Sequence, residues 1–431
     1  MTHIRSNPSG RLVAGIAFGI FLLGIVISAI NVLLAPSPYN PMNAVLFRDP
    51  GDSFMDFFRP VTFAVAQDPY VFVETGAIYP PVCYVLFRII GNAFGPGADL
   101  SDAFALRALQ SGQLLLILFI LFNVLPLSYL LYRKYRGAEV EKLLFIGVTV
   151  TSGPYLYLLE RGNILLMTFW LTFFFVLLYR SQTGWVRELA LLALAVAAAT
   201  KLYPAMFGLL LIMDRRYKEA VRCAVYGLLI FLLPVFCFQG MQTLTDFMHN
   251  LSHGVAVTVS DAYRVDWGTS VASVYGWLGL PAATGRFHAD VLLAPAMLGM
   301  IVCGFWQREI WKKCLALAMV CVMLPGFSFY YVMIFYLPPL FLLLQEKEHR
   351  PIDLLYAGLL ALTCVLFMTG LGFETHLVGM RFVYLQGQPN NWCVEFGKAA
   401  QIGLMLTLAA DTLRQWSRQR RTRGTARRIE A

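Results

Sequence analysis

The residues best suited to chemistry in this sequence are charged side chains that stand in or beside apolar runs. Asp56 is the clearest case, because it lies inside the otherwise apolar string 54–58. Arg161 and Lys201 border two further apolar runs. A charge at membrane depth costs several kcal/mol unless it is paired or hydrated, so such residues are candidates for a functional site. Further candidates for holding a substrate are Asp52, Arg59, Tyr79, Glu160, Asn163, Tyr203, Arg264 and Tyr331.

A carboxylate next to several cations suits a reaction in which an alcohol loses a proton while a phosphate leaves. Asp56 would act as the general base, and Arg161 and Lys201 would neutralise the charge that grows on the phosphate. One base with direct displacement inverts the attacked carbon, whereas double displacement needs a second carboxylate as nucleophile. Since the cations can serve, we expect no obligatory metal and no other cofactor, although Asp49 and Asp52 together with Asp56 offer the oxygen ligands that a cation uses.

The same residues also have plainer interpretations. The loop acids fit solvated side chains, and Glu160 with Arg161 fits an ion pair that closes a turn. Lys201 follows an alanine-rich run and fits a side chain that extends to the membrane interface. An acid inside an apolar run is hardest to explain in this way, so Asp56 is the primary candidate.

The composition is that of a membrane protein. Apolar residues make up 58% of the 431 residues and charged residues 14%, against about 25% charged residues in soluble domains. A helix needs about 20 residues to cross the hydrocarbon layer, and residues 12–34 form a clear first span. No Ala-x-Ala site follows it, which favours a retained span over a cleaved signal peptide. The net charge of +9 collects in short loops and in the tail, so we expect no binding of nucleic acid.

Hydropathy predicts an all-α polytopic membrane protein with about twelve transmembrane helices. The apolar segments after the first are 104–132, 143–159, 164–179, 189–200, 205–213, 221–238, 291–306, 315–324, 330–344, 354–371 and 399–413. Several are shorter than a full span and fit half-helices or hairpins. We expect residues 1–413 to form one transmembrane domain and residues 414–431 to be a disordered basic tail that seeks lipid headgroups.

The distribution of basic residues predicts the orientation. A cytoplasmic N-terminus puts most of the 34 basic residues on the cytoplasmic side, as the positive-inside rule requires. Both termini are then cytoplasmic, and three long loops, about 35–103, 239–290 and 372–398, lie on the external side. Residues 82–94 fit a helix at the outer surface rather than a crossing. We expect the functional site on the external face, because the cytoplasmic loops are short connectors.

Short motifs follow one another in a characteristic order. An acid with an aromatic pair at 56–58 precedes Gln-Asp-Pro-Tyr at 67–70 and Tyr-Pro-Pro at 79–81. Arg-Gly-Asn-Ile-Leu-Leu at 161–166 and Lys-Leu-Tyr-Pro at 201–204 stand at turns between apolar segments. This order resembles glycosyltransferase family 87, the polyprenyl-phosphate-mannose-dependent mannosyltransferases of the GT-C superfamily, with its Gly-Gln-x-Asn-Leu-Leu hairpin and Lys-x-Tyr-Pro turn.

Two later segments extend the resemblance. Trp-Gly-Thr-Ser-Val at 267–271 is similar to the family's Asn-x-Ser segment, and residues 331–339 resemble its late helix ending in Pro-Pro. The chain departs from the family pattern at two points. The hairpin lacks its Gln, and Tyr330 or Tyr331 stands where a His is usual, which leaves the sugar open.

The resemblance implies a GT-C-like bundle with external loops and interfacial helices in the inner (plasma) membrane. It implies a polyprenyl-phosphate-linked sugar donor, mannose by family default, and a glycolipid, lipid-linked or cell-envelope glycan as acceptor. Membrane lipids would be the remaining partners. Carried over by position, Asp56 corresponds to the family's catalytic acid, and Arg161 and Lys201 lie in turns near the donor phosphate.

Two other classes remain open from the sequence. A flippase or secondary transporter of lipid-linked glycans would also have about twelve helices with buried charges, but it should show related halves. No similarity between the two halves is visible. A polymerase or ligase of lipid-linked glycans is chemically close, and it is usually built around one large external loop.

Overall fold

The computed structural model describes residues 8–34, 53–65, 68–71, 77–95, 98–253, 263–366, 371–374, 381–384 and 392–429. This part of the chain is helical apart from one short pair of strands. The chain divides into two compact units. The large unit is Phe21–Tyr263 with Leu366–Trp392, and the small unit is Met1–Ile20 with Arg264–Val365 and Cys393–Ala431.

Helix α1 (Pro8–Leu34) contributes residues to both units. The other helices of the large unit are α2 (Met55–Val65), α3 (Pro81–Asn92), α4 (Ala103–Ala108), α5 (Gln110–Lys134), α6 (Glu139–Val150), α7 (Gly153–Arg161), α8 (Leu165–Leu178), α9 (Gly184–Thr200), α10 (Leu209–Met213), α11 (Tyr217–Leu232) and α12 (Met241–His253). Short 3-10 helices are Pro69–Val71, Tyr203–Gly208 and Leu233–Cys237. Strand β1 (Leu371–Glu374) pairs antiparallel with β2 (Arg381–Tyr384).

The small unit is also helical. Its helices are α13 (Trp267–Trp277), α14 (Ala282–Trp306), α15 (Ile310–Met323), α16 (Leu337–Leu344), α17 (Pro351–Cys364) and α18 (Trp392–Ile429), with a 3-10 helix at Tyr330–Tyr336. The predicted external loops 35–103 and 239–290 therefore contain several helices. Helix α18 runs to Ile429, so it includes most of the basic tail from residue 414; the cytoplasmic position of that tail stays a prediction.

The apolar helices support the prediction of a membrane protein. Within the described residues, five helices are long and apolar enough to cross a bilayer. They are Pro8–Ile30, Gln110–Lys134, Tyr217–Cys237, Ala282–Trp306 and Trp392–Arg418. The pair α6 and α7, bent by 52°, adds a sixth if it is one span. Twelve spans are not confirmed, because most other apolar segments form helices of 10–17 residues.

Two predicted segments have wrong boundaries. The segment 354–371 ends early, since α17 stops at Cys364 and Leu371 instead pairs with Tyr384 in the strand ladder. Short apolar runs do not distinguish helix from strand by hydropathy alone. The segment 104–132 is split into α4 and α5 at Leu109, which has extended backbone angles.

The core of the large unit surrounds α2. Phe57 and Phe58 are fully buried, and their rings meet edge to face with centroids 5.0 Å apart. Phe87 on α3 packs against Phe57 at 6.1 Å. Burying one such side chain contributes roughly 1.5–3 kcal/mol. This packing fixes α2 in the unit and so fixes the position of Asp56 in its first turn.

A network of charges around the buried Lys312 crosses the small unit. Lys312 is fully buried, and its Nζ lies 2.7 Å from Oδ2 of Asp411. Arg350 reaches the same oxygen with Nη2 at 2.9 Å. Burying an ion requires a partner, because the desolvation cost is several kcal/mol per charge. Asp411 therefore links α15 and the start of α17 to α18, a structural role that the sequence does not reveal.

Candidate active site

The candidate site begins where α7 ends and α2 begins. The backbone N–H of Phe54 donates to the carbonyl of Glu160 at 2.7 Å, so the residue before α2 is tied to the last turn of α7. Phe54 has φ of 63°, a region that a bulky side chain adopts only when the surrounding structure holds it there. The contact places Asp56 close to the turn that follows α7.

Asp56 is held by two donors from that turn. Nη2 of Arg161 lies 2.7 Å from its Oδ1, and Nδ2 of Asn163 lies 2.6 Å from its Oδ2. The carbonyl oxygen of the Asn163 side chain accepts the N–H of Leu165 at 2.9 Å. Since that bond occupies the oxygen, the amide nitrogen must point to Asp56. The carboxylate is thus fixed in orientation by one cation and one neutral amide.

Gly162 makes this arrangement possible. It caps α7 in the left-handed region with φ of 62°, where glycine carries no steric penalty. A Cβ at this position would lie 2.9 Å from Cβ of Phe57. The turn therefore approaches α2 at a distance that only glycine allows, and the side chains on either side of it reach Asp56.

Lys201 joins the same site from α9. It follows the last residue of α9 with extended backbone angles, and its Nζ lies 4.3 Å from the centre of the Tyr79 ring. Nδ2 of Asn163 donates a long hydrogen bond of 3.4 Å to the hydroxyl of Tyr79. Cys83 on α3 donates from Sγ to the carbonyl of Thr200 at 3.2 Å. That bond holds the Lys201 turn against the start of α3.

Tyr79 is itself firmly placed. Its carbonyl accepts the hydroxyl of Tyr70 at 2.7 Å, and Pro80 and Pro81 start α3 directly after it. Proline at the first helical position is favoured, because its missing N–H would have no helical partner there. The Tyr-Pro-Pro motif thus has a structural role, since it fixes the Tyr79 ring next to Lys201.

The electrostatics of the site shift both ionisable groups toward their neutral forms. Burial raises the pKa of the Asp56 carboxyl, while the hydrogen bond from Asn163 and the charges of Lys201 and Arg59 oppose that rise. Burial lowers the pKa of Lys201 to about 8, and the charge of Asp56 works against this effect. A carboxylate with a raised pKa is a stronger base, and a lysine with this pKa is still mostly charged near neutral pH.

Three further predicted residues, Arg59, Glu160 and Tyr203, belong to the large unit. Arg59 is one turn further along α2, and its charge acts on Asp56. Glu160 is buried and contributes its carbonyl to Phe54. Tyr203 starts the 3-10 helix just after Lys201. Asp52, like Asp49, lies outside the described residues.

Arg264 and Tyr331 belong to the small unit. Nε of Arg264 lies 3.0 Å from Oδ2 of Asp266, the residue that caps α13. The ring of Tyr331 packs against Phe329 with centroids 5.6 Å apart. Their role in binding a substrate stays a prediction.

Sequence reasoning missed the contacts that hold the site together. Cys83 belongs to no chemical motif in the sequence, yet its thiol donates a hydrogen bond to the carbonyl of Thr200, next to Lys201. The strained backbone of Phe54 has no sequence signal. In the described part of the chain, no three His, Cys, Asp or Glu side chains are grouped so that they could hold a metal ion.

The fold and the site define a class: a helical membrane protein with a half-buried acid held among cations. Residues 77–330 match the sequence model of glycosyltransferase family 87. Since the match covers more than half of the chain, the protein belongs to glycosyltransferase family 87, as the motifs predicted. A comparison with curated proteins gave no match. The matched range includes Arg161, Asn163 and Lys201, and it begins after Asp56.

Proposed function

We propose that this glycosyltransferase moves a sugar, mannose by family default, from a polyprenyl-phosphate donor to a lipid-linked or cell-envelope glycan. The reaction would take place on the non-cytoplasmic face of the plasma membrane, with both termini in the cytoplasm. The observation that carries the proposal is the fixed carboxylate of Asp56 with the partly buried Lys201 beside it. The charge distribution of the loops supports the orientation.

Asp56 acts as the general base in this proposal. Each carboxylate oxygen has two acceptor positions, so the donors Arg161 and Asn163 leave positions on both oxygens for a proton. The acceptor hydroxyl attacks the anomeric carbon and gives its proton to Asp56, while the bond from that carbon to the phosphate oxygen breaks. The lipid leaves as a monophosphate, and the configuration of the sugar carbon is inverted.

The two cations have different tasks. Arg161 is already bonded to Asp56, so we assign it to positioning the carboxylate. Lys201 has no such bond to Asp56, since its Nζ lies over the Tyr79 ring. We assign it to the donor phosphate, where a compact ammonium stabilises the charge that grows as the phosphate leaves.

Proteoliposomes that contain the purified full chain test this function. They receive labelled polyprenyl-phosphate mannose and an extract of envelope glycolipids as acceptor. We expect a new glycosidic bond whose anomeric configuration is opposite to that of the donor.

A flippase would instead move label across the bilayer without forming a glycosidic bond. That result, or retention of the donor's configuration, would overturn the proposal.

A further inference from the structure

A cavity of about 360 Å³ lies in the large unit beside the start of α5. Its lining residues are Ser53, Phe54, Phe58, Arg107, Gln113 and Leu116. Of the predicted substrate-binding residues that the structure describes, none lines this cavity. Sites for small ligands typically enclose about 300–1,000 Å³, so the cavity is large enough for a phosphate group with its first attached carbons.

The lining combines one charge with apolar walls. Nη1 of Arg107 donates to the carbonyl of Ser53 at 2.9 Å, which holds the guanidinium at the cavity wall. A guanidinium carries five N–H donors in a planar fork that matches phosphate oxygens. Gln113 is exposed, so the cavity opens outward and its mouth carries an amide. A phosphate is the ligand that this charge and shape favour.

The cavity shares a wall with the candidate active site. A Cβ added to Gly162 would lie 3.4 Å from Leu116 and 3.5 Å from Cα of Phe54, and both of these residues line the cavity. Gly162 stands between the two residues that hold Asp56. The Arg107 cavity therefore lies directly behind the turn that positions the base.

Helix α5 supplies a path for a lipid chain. It is long and apolar enough to cross a bilayer, and its first turns include the cavity residue Gln113. An exposed apolar row follows: Leu114, Ile117, Leu118, Leu121 and Leu125. This spacing places the row along one face of the helix. A chain attached to a phosphate at Arg107 can enter the bilayer along that row.

We propose that the Arg107 cavity seats the phosphate of a single-chain isoprenoid lipid, whose chain follows the exposed face of α5. The proposal rests on the proposed function for its ligand, the lipid monophosphate that the reaction releases. It assigns Arg107 and Gln113 a binding role that is separate from the base Asp56 and from Lys201.

Direct binding tests the assignment without requiring transfer. Purified full-length protein in detergent is titrated with radiolabelled polyprenyl monophosphate. Arg107→Gln should weaken binding by at least about tenfold, since a charge-assisted hydrogen bond is lost. Gln113→Trp should also weaken it, because the indole narrows the mouth and leaves Arg107 in place. Arg133→Gln, at the exposed far end of α5, is the matched control and should bind as the unsubstituted protein does.

Competition separates the sources of phosphate. Inorganic phosphate and two-chain phosphatidylglycerol should displace the label at least about tenfold less well than unlabelled polyprenyl phosphate. Equal competition by either one would overturn the lipid assignment. Unchanged affinity in both cavity variants, or an equal loss in Arg133→Gln, would overturn the site itself. Thermal unfolding of each variant shows that it is folded.

The two proposals fail in different ways. If binding of polyprenyl monophosphate depends on Arg107 while Asp56→Asn still transfers sugar at the normal rate, the proposed mechanism is wrong and the cavity assignment is retained. If Asp56→Asn loses transfer while substitutions of Arg107 and Gln113 leave the affinity for polyprenyl monophosphate unchanged, the cavity assignment is wrong and the mechanism is retained.

Discussion

The charge of Lys201 should limit transfer on the alkaline side. Its pKa is lowered to about 8 by burial, whereas an exposed lysine titrates about two units higher. The charged fraction is then about 90% at pH 7 and about 10% at pH 9. If Lys201 must be protonated to stabilise the leaving phosphate, the rate should fall roughly tenfold over that interval.

The assay is the initial rate of transfer from labelled polyprenyl-phosphate sugar at saturating donor and acceptor, measured across pH. Lys201→Arg keeps a positive charge throughout this range, so this variant should lose the alkaline decline even if its absolute rate is lower. Lys218→Arg, at an exposed lysine on α11, is the control and should keep the decline. On the acid side, the rate should rise as Asp56 deprotonates, at a pH above that of an exposed carboxyl because burial raises its pKa.

An alkaline decline in Lys201→Arg with the same midpoint as in the unsubstituted protein would refute this reasoning. It would mean that another group titrates there and that Lys201 does not supply the essential charge.

Two predictions concern stability. Gly162→Ala should destabilise the protein by about 1–3 kcal/mol, because the new Cβ would lie 2.9 Å from Cβ of Phe57 at a positive φ. Gly147→Ala is the control, since the space around Gly147 is open. Equal unfolding temperatures for the two variants in detergent would refute this explanation. Asp411→Ala should lower the free energy of unfolding by about 3–5 kcal/mol, because the buried Lys312 loses this partner. Adding Lys312→Met to Asp411→Ala should restore much of the unfolding temperature. An unfolding temperature that stays as low as in Asp411→Ala would contradict the charge explanation.

The sequence predicts the helices well and their relation to the membrane less well. Hydropathy finds nearly every apolar helix, because burial in protein and burial in lipid select the same residues. It cannot tell the two apart. Helix α8, for example, has 14 residues, and most of them are buried within the unit, although its composition is that of a transmembrane helix. The number of crossings therefore depends on tertiary packing rather than on composition.

The site was partly predictable for a similar reason. An acid in an apolar run needs partners, and the sequence predicts that Arg161 and Lys201 share a site with Asp56. The structure brings both near Asp56, while their roles in the reaction stay predictions. What the sequence does not give is the contact itself, since Asp56 and Asn163 are 107 residues apart. The role of Asn163 follows only from its second bond, to Leu165, which fixes the direction of its amide.

The central claim is that Asp56 takes the proton from the acceptor. The most direct measurement is the rate of transfer at saturating donor in Asp56→Asn, with the affinity for the donor measured beside it and Asp99→Asn, an exposed loop acid, as the control. The mechanism predicts a rate lower by about 10²–10⁴-fold in a folded protein that still binds the donor. Transfer at the normal rate by a folded Asp56→Asn protein would contradict it.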